Sequence, residues 1–146
     1  MLRGNAPAKI DDRGRLKVPA AYRALIQADY GRDLFVTSVS GESVRIYPMA
    51  VWADIEARLA KVPASHPSLG RYLDRVNFFG QATEFDPQGR VLVQQRLRES
   101  AHMAGEVDVL GQRNFLEVWN HDRFVAKLAR DQFTDDDARA LAEFGI

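Results

Sequence analysis

Apolar and polar positions alternate in short runs along this chain, and the runs occur twice. Arg15-Leu16-Lys17-Val18 alternates polar and apolar side chains, the period of a half-buried strand. Apolar runs at 34–37 and 43–47 flank Ser40-Gly41-Glu42, and runs at 107–110 and 115–119 flank residues 111–114, so two hairpins are expected. Helical spacing appears between the strands. Tyr22, Leu25 and Ile26 mark a helix over 20–28 that Pro19 can open, and Leu97 and Ala101 mark its weaker counterpart over 94–103. Further helical stripes run through Val51, Trp52, Ile55, Leu59 and Val62, then Leu69, Tyr72, Leu73, Val76 and Phe79, then Phe124, Val125 and Leu128. Thr134 ahead of Asp135-Asp136-Asp137 reads as a helix cap with acids in the first turn, where the helix dipole favours them.

The doubling is a true internal repeat. Residues 10–23 (IDDRGRLKVPAAYR) and 85–98 (FDPQGRVLVQQRLR) align without gaps and share Asp11/Asp86, Gly14/Gly89, Arg15/Arg90, Val18/Val93 and Arg23/Arg98. The similarity extends upstream to Gly4 and Gly80, and downstream to Val44-Arg45-Ile46-Tyr47-Pro48 against Leu116-Glu117-Val118-Trp119-Asn120. Each copy reads strand–turn–strand–helix–strand–turn–strand. The first turn, Asp12-Arg13-Gly14 or Pro87-Gln88-Gly89, places a glycine where a left-handed backbone is needed. The fold class is α+β, with tandem β-β-α-β-β units and extra helices between and after them. Boundaries fall at 3–50 for the first copy, 51–77 for a helical connector, 78–122 for the second copy and 123–146 for a helical tail. A unit of about 70 residues buries too little surface to stand alone, so the two copies are expected to share one core or to be held by an oligomer.

Composition narrows the function. The chain has 146 residues and no cysteine, which removes disulfides, thiolate metal sites and cysteine nucleophiles. No apolar run approaches a membrane span or a signal peptide, so a cytoplasmic protein is expected. Net charge is zero, yet residues 1–23 carry six basic groups against two acids, while 130–146 carry two against five. A basic head and an acidic tail cancel in the total and still present different faces. His66, His102 and His121 share no ligand-like spacing, and the chain shows no nucleophile elbow or phosphate loop, so neither enzyme, metal nor cofactor is expected.

Two Asp-x-x-Gly-Arg turns, preceded by Arg3-Gly4-Asn5 and followed by Val18-Pro19 and Tyr47-Pro48, resemble the MraZ family of bacterial transcriptional regulators. The resemblance implies two AbrB-like repeats of double-split β-α-β type. It implies a nucleoid-associated protein that binds double-stranded DNA at promoter repeats ahead of its own cell-division and cell-wall operon. It also implies a ring-like homo-oligomer.

From the residues themselves, Asp11 and Asp86 are expected to bond turn amides or to pair across the hairpin, with Gly14 and Gly89 as structural turn residues. Arg15 and Lys17 fall on the strand face opposite Leu16 and Val18, and Arg13 sits at the loop tip. Arginine's planar fork grips phosphate or guanine edges and lysine supplies a point charge. The expected DNA contacts are Arg13, Arg15, Lys17 and Arg90, with Arg3, Lys9 and Arg23 as further candidates for the same patch. A single subunit neutralises few phosphates, so an oligomer that repeats the contact is the natural route to affinity. The competing function is an AbrB-like antitoxin that binds a protein, against which the fused duplication weighs.

Overall fold

A computed structural model describes residues 1–146. The first copy holds β1 (Asn5–Ile10), β2 (Arg15–Lys17), α1 (Ala20–Tyr30), β3 (Asp33–Thr37) and β4 (Val44–Pro48). Two helices follow, α2 (Met49–Leu59) and α3 (Pro67–Phe78). The second copy holds β5 (Gln81–Glu84), β6 (Arg90–Leu92), α4 (Gln95–Ala101), β7 (Gly105–Gly111) and β8 (Leu116–Asn120). The tail forms α5 (His121–Arg130) and α6 (Asp135–Ala142). No helix is long and apolar enough to cross a membrane.

Eight strands form one antiparallel sheet in the order β5-β3-β4-β8-β7-β1-β2-β6. The turn between β5 and β6 joins the two ends of that row, with Asp86 N–H donating to the Arg90 carbonyl at 2.9 Å, so the sheet nearly closes. Strands of the two copies interleave. β1 pairs along its whole length with β7, and β5 pairs with β3. The Gly-turn hairpin expected from the sequence is therefore a hairpin only at its turn: β1 and β2 share the single pair Ile10↔Leu16 before β1 leaves for β7. β2 instead pairs with its own counterpart, β6, at Leu16↔Val91. β4 pairs with its counterpart β8, with Arg45 opposite Glu117. A pseudo-twofold axis relates the copies and passes through these two pairs.

One contiguous core results, fed equally by both copies. Ile10, Leu16, Ile26, Leu34 and Ile46 meet Phe85, Val91, Leu97, Val107 and Leu116. Strand alternation sends every second side chain inward, and α1 and α4 each close the core with two residues four apart, Tyr22/Ile26 and Leu97/Ala101. Burying a side chain the size of Ile26 or Leu97 contributes roughly 1.5–3 kcal/mol. Gly31 ends α1 at φ 89°, and His102 ends α4 in the left-handed region at φ 51°.

A second, smaller core lies on the outer face of the first copy. Val51 and Trp52 of α2 and Val76 of α3 pack on Tyr47, and Phe35 stacks on Trp52 with centroids 4.6 Å apart. After the second copy, Phe124 of α5 packs on Trp119 at 5.7 Å, but no helix takes the place that α3 holds beside α2.

Candidate nucleic-acid interface

The turn after β1 is built by one carboxylate. Asp11 Oδ1 accepts from the backbone N–H groups of Arg13 and Arg15 at 3.0 and 2.9 Å, and its Oδ2 accepts from Arg15 Nε at 3.0 Å. The copy repeats this at Asp86, which accepts from Gln88 N–H and Arg90 N–H at 2.8 Å each and from Arg90 Nε at 2.8 Å. The Arg15 and Arg90 backbone amides are the largest cause holding the two carboxyls below their ordinary range, so both stay ionised at neutral pH. Both expected roles of these aspartates, turn cap and cross-hairpin ion pair, are thus filled by the same side chain.

The aspartates aim the arginines. Each guanidinium is anchored through Nε and remains about a third exposed, at 33% for Arg15 and 28% for Arg90. Both terminal nitrogens of Arg15 donate to nothing within the chain, whereas Arg90 Nη2 donates to Gln88 Oε1 at 2.6 Å. An anchored fork with free ends suits recognition of a planar or phosphate acceptor, because little side-chain freedom remains to be lost.

Pairing of β2 with β6 then joins the two turns into one surface. Lys17 faces Arg90 and Arg15 faces Leu92, all on the outer side, because Leu16 and Val91 point inward. Lys9 precedes Ile10 and is exposed, so alternation sets it beside Lys17 on the same side. Exposed Arg13 crowns the first turn. Five of the seven sequence candidates (Arg13, Arg15, Lys17, Arg90 and Lys9) therefore share one patch. Arg3 does not join them: it lies at the other end of β1, about 20 Å away at 3.3 Å per residue, where its carbonyl accepts from Tyr22 Oη at 2.9 Å.

The patch is lopsided. Leu92 stands where Lys17 stands in the first copy, and Glu84 stands where Lys9 does. Glu84 is also paired with Arg32 at 3.2 Å. Positive charge accordingly concentrates on the first-copy half.

Arg23, a candidate for the patch from the sequence, and Arg98 instead hold the turns, a role for which their identity in the two copies was the available signal. Each crosses the pseudo-twofold to the other copy's turn. Arg98 lies over Gly14 and donates to the Asp12 carbonyl at 3.3 Å, while Arg23 lies over Gly89. Backbone bonds cross with them, from Val93 N–H to the Gly14 carbonyl at 2.8 Å and from Val18 N–H to the Gly89 carbonyl at 3.2 Å. Two turns far apart in sequence are thereby locked into one rigid platform.

A polar site outside the patch was also not foreseen. Asp108, only 4% exposed on β7, accepts from Asn5 Nδ2 at 3.1 Å and meets His121 Nδ1 at 2.8 Å, beside an open cleft of about 380 Å³. That hydrogen bond is the first cause raising the His121 pKa above its ordinary 6.5. No group of three His, Cys, Asp or Glu side chains is arranged to hold a metal ion.

Comparison with known proteins adds an independent line. The profile of a family described as "MraZ protein, putative antitoxin-like" matches twice, over residues 1–75 and 78–144. A protein of Acidobacterium capsulatum named transcriptional regulator MraZ is 45% identical over 146 residues, covering the whole of both chains. Proteins of the same name from Koribacter versatilis and Chromobacterium violaceum are 41% and 33% identical, again over the whole of both chains.

Proposed function

The chain belongs to the MraZ family of transcriptional regulators, and on that premise we propose that it binds double-stranded promoter DNA through the Arg13–Arg15–Lys17–Arg90–Lys9 patch. Its own cell-division and cell-wall operon is the target, and an oligomer repeats the patch. No catalytic step is assigned to it.

One observation carries the reading: the β2·β6 register sets Lys17 directly against Arg90. Like charges across a strand pair destabilise a sheet, and Asp86 offsets only the Arg90 member of this one, leaving Lys17 without an anionic partner. A fold that keeps such a pair, on an exposed face and beside an arginine with free terminal nitrogens, has a surface that a polyanion would relieve. Local rules are broken where function requires it. Lysine and the arginine forks neutralise phosphates and release counterions, which makes affinity salt-dependent.

The deciding experiment is a gel shift with DNA from just upstream of the protein's own gene, across a salt series. Sequence-selective binding with a steep salt slope supports the reading, and no binding to any DNA at low salt ends it. Arg15→Ala is expected to lower promoter affinity by about 5- to 150-fold, by removing a charge-assisted contact of about 1–3 kcal/mol. A folded Arg15→Ala protein with unchanged binding would remove Arg15 from the interface. The antitoxin-type reading draws on the family description and predicts a stoichiometric protein complex that salt and promoter sequence do not affect.

A further inference from the structure

Helix α3 ends on a surface that neither core nor the promoter patch uses. Arg71 and Arg75 lie four residues apart and so share one face of it, with Phe78 on the next turn. Together with Asp74 and Phe79 they line an open hollow of about 520 Å³. Arg96, the second residue of α4, reaches to the same place. Its guanidinium carbon lies 4.4 Å from the centroid of the Phe78 ring, and its Nη1 donates to the Phe78 carbonyl at 3.0 Å. Even with that cover, Phe78 stays 53% exposed.

Arg71, Arg75 and Arg96 are all exposed, and none of them has a carboxylate within ion-pair distance. Unpaired guanidiniums repel one another, and an exposed phenyl ring forgoes the gain its apolar surface would make on burial. One ligand chemistry answers both. Phosphate accepts from the arginine forks, and a planar nucleobase covers the ring, with any base serving because every base has a π-face. Arg96 is already held on the ring, so little of its freedom remains to be lost on binding. An acidic peptide would use the arginines and leave the ring uncovered. Asp74 disfavours a purely anionic ligand and suits the sugar hydroxyls of a nucleotide as an acceptor.

We infer that Arg71, Arg75, Arg96 and Phe78 form a nucleotide site, with phosphate on the α3 arginines and the base stacked on Phe78. The nucleotide is either free or part of a single strand, because a paired duplex keeps its bases stacked inside. This goes beyond the promoter patch and is separate from it: β5 runs from this site towards the Asp86 turn, roughly 13 Å at about 3.3 Å for each of its four residues.

The test uses the full-length protein. Calorimetry measures ATP, and inorganic tripolyphosphate as a probe with the charge but no base. Fluorescence anisotropy measures a labelled single-stranded oligo(dA), in an Arg15→Ala background that weakens the promoter patch. Binding of ATP or of oligo(dA) is expected, and the tighter of the two assigns the source. Arg71→Gln with Arg75→Gln should abolish it. Phe78→Leu should weaken it at least about fivefold, through loss of one stacked base, whereas Phe78→Tyr keeps a ring and should retain it. Thermal midpoints should be unchanged, because these side chains are exposed. Binding of neither probe overturns the site. So does a Phe78→Leu protein that binds like wild type, or, where ATP is the ligand, tripolyphosphate that binds as tightly. A gel shift with promoter duplex scores the other surface: the α3 double variant should bind it normally, and loss there overturns a separate site. Wild type that binds ATP or oligo(dA) but no promoter duplex overturns the promoter reading alone.

Discussion

A Cβ added at Gly14 would lie 2.5 Å from Arg98 Nε and from the Val93 carbonyl, on a backbone already at φ 82°. Gly14→Ala is therefore expected to destabilise the protein by about 1–3 kcal/mol, through left-handed strain and displacement of the crossing arginine. Urea denaturation checks this, and a loss below a few tenths would show that the Arg98 cover is dispensable. The Lys17–Arg90 opposition makes a prediction of the other sign. Lys17→Gln removes a like-charge pair and should raise stability by up to about 1 kcal/mol while weakening promoter binding. Thermal unfolding and a gel shift on the same variant check both halves, and a stability loss would refute the repulsion argument. At this scale much was legible beforehand. Asp11, Gly14, Arg15 and their counterparts stood out because the repeat preserves them and their spacing closes a turn. Arg23 and Arg98 were equally visible as identities, but nothing local says that each crosses to the other copy's turn.

Helix α5 depends on few anchors: Phe124 against Trp119, the Asn120 cap that accepts from Arg123 N–H at 3.1 Å, and His121 against Asp108. The His121 pKa is raised, so protonated His121 contributes stability that is fully present below about pH 6.5 and is lost as pH rises through the raised value. The facing groups are Asp108 first, then Asp122 and Glu106, all acidic, with Lys9 across the cleft. Amide exchange in α5 should be slower at pH 5.5 than at pH 8.5 once intrinsic exchange rates are corrected. His121→Gln should abolish that difference, and a difference that survives the substitution would assign it elsewhere. The helices, the Thr134 cap and the β3–β4 and β7–β8 hairpins were readable from periodicity and turn residues, because they are made by neighbours in sequence. The β1–β2 hairpin was readable only at its turn, because the partner that β1 prefers is about 100 residues away.

For the whole molecule, strand exchange makes each copy a template for the other. Residues 1–77 alone leave β1 without β7 and β4 without β8, and are expected to be unfolded by circular dichroism; co-expression with residues 78–146 should restore the fold. A folded monomeric 1–77 fragment would contradict the shared core. The pseudo-twofold also explains why the copies diverged. Arg45 and Glu117 occupy equivalent places and meet at 3.6 Å, an ion pair that two identical units could not make there. The sequence by itself determined the repeat, the order of elements, the two Asp-anchored turns and the excess of positive charge in the first copy. Those follow from short-range physics: periodicity, turn geometry and the identity of residues close in the chain. Only the tertiary structure decided which strands pair across copies, that Arg15, Lys17 and Arg90 form one patch while Arg3 stands apart, and which parts of the helical stripes are core and which stay exposed. These depend on contacts between distant segments, and one amphipathic stripe has the same pattern whether or not its own chain covers it.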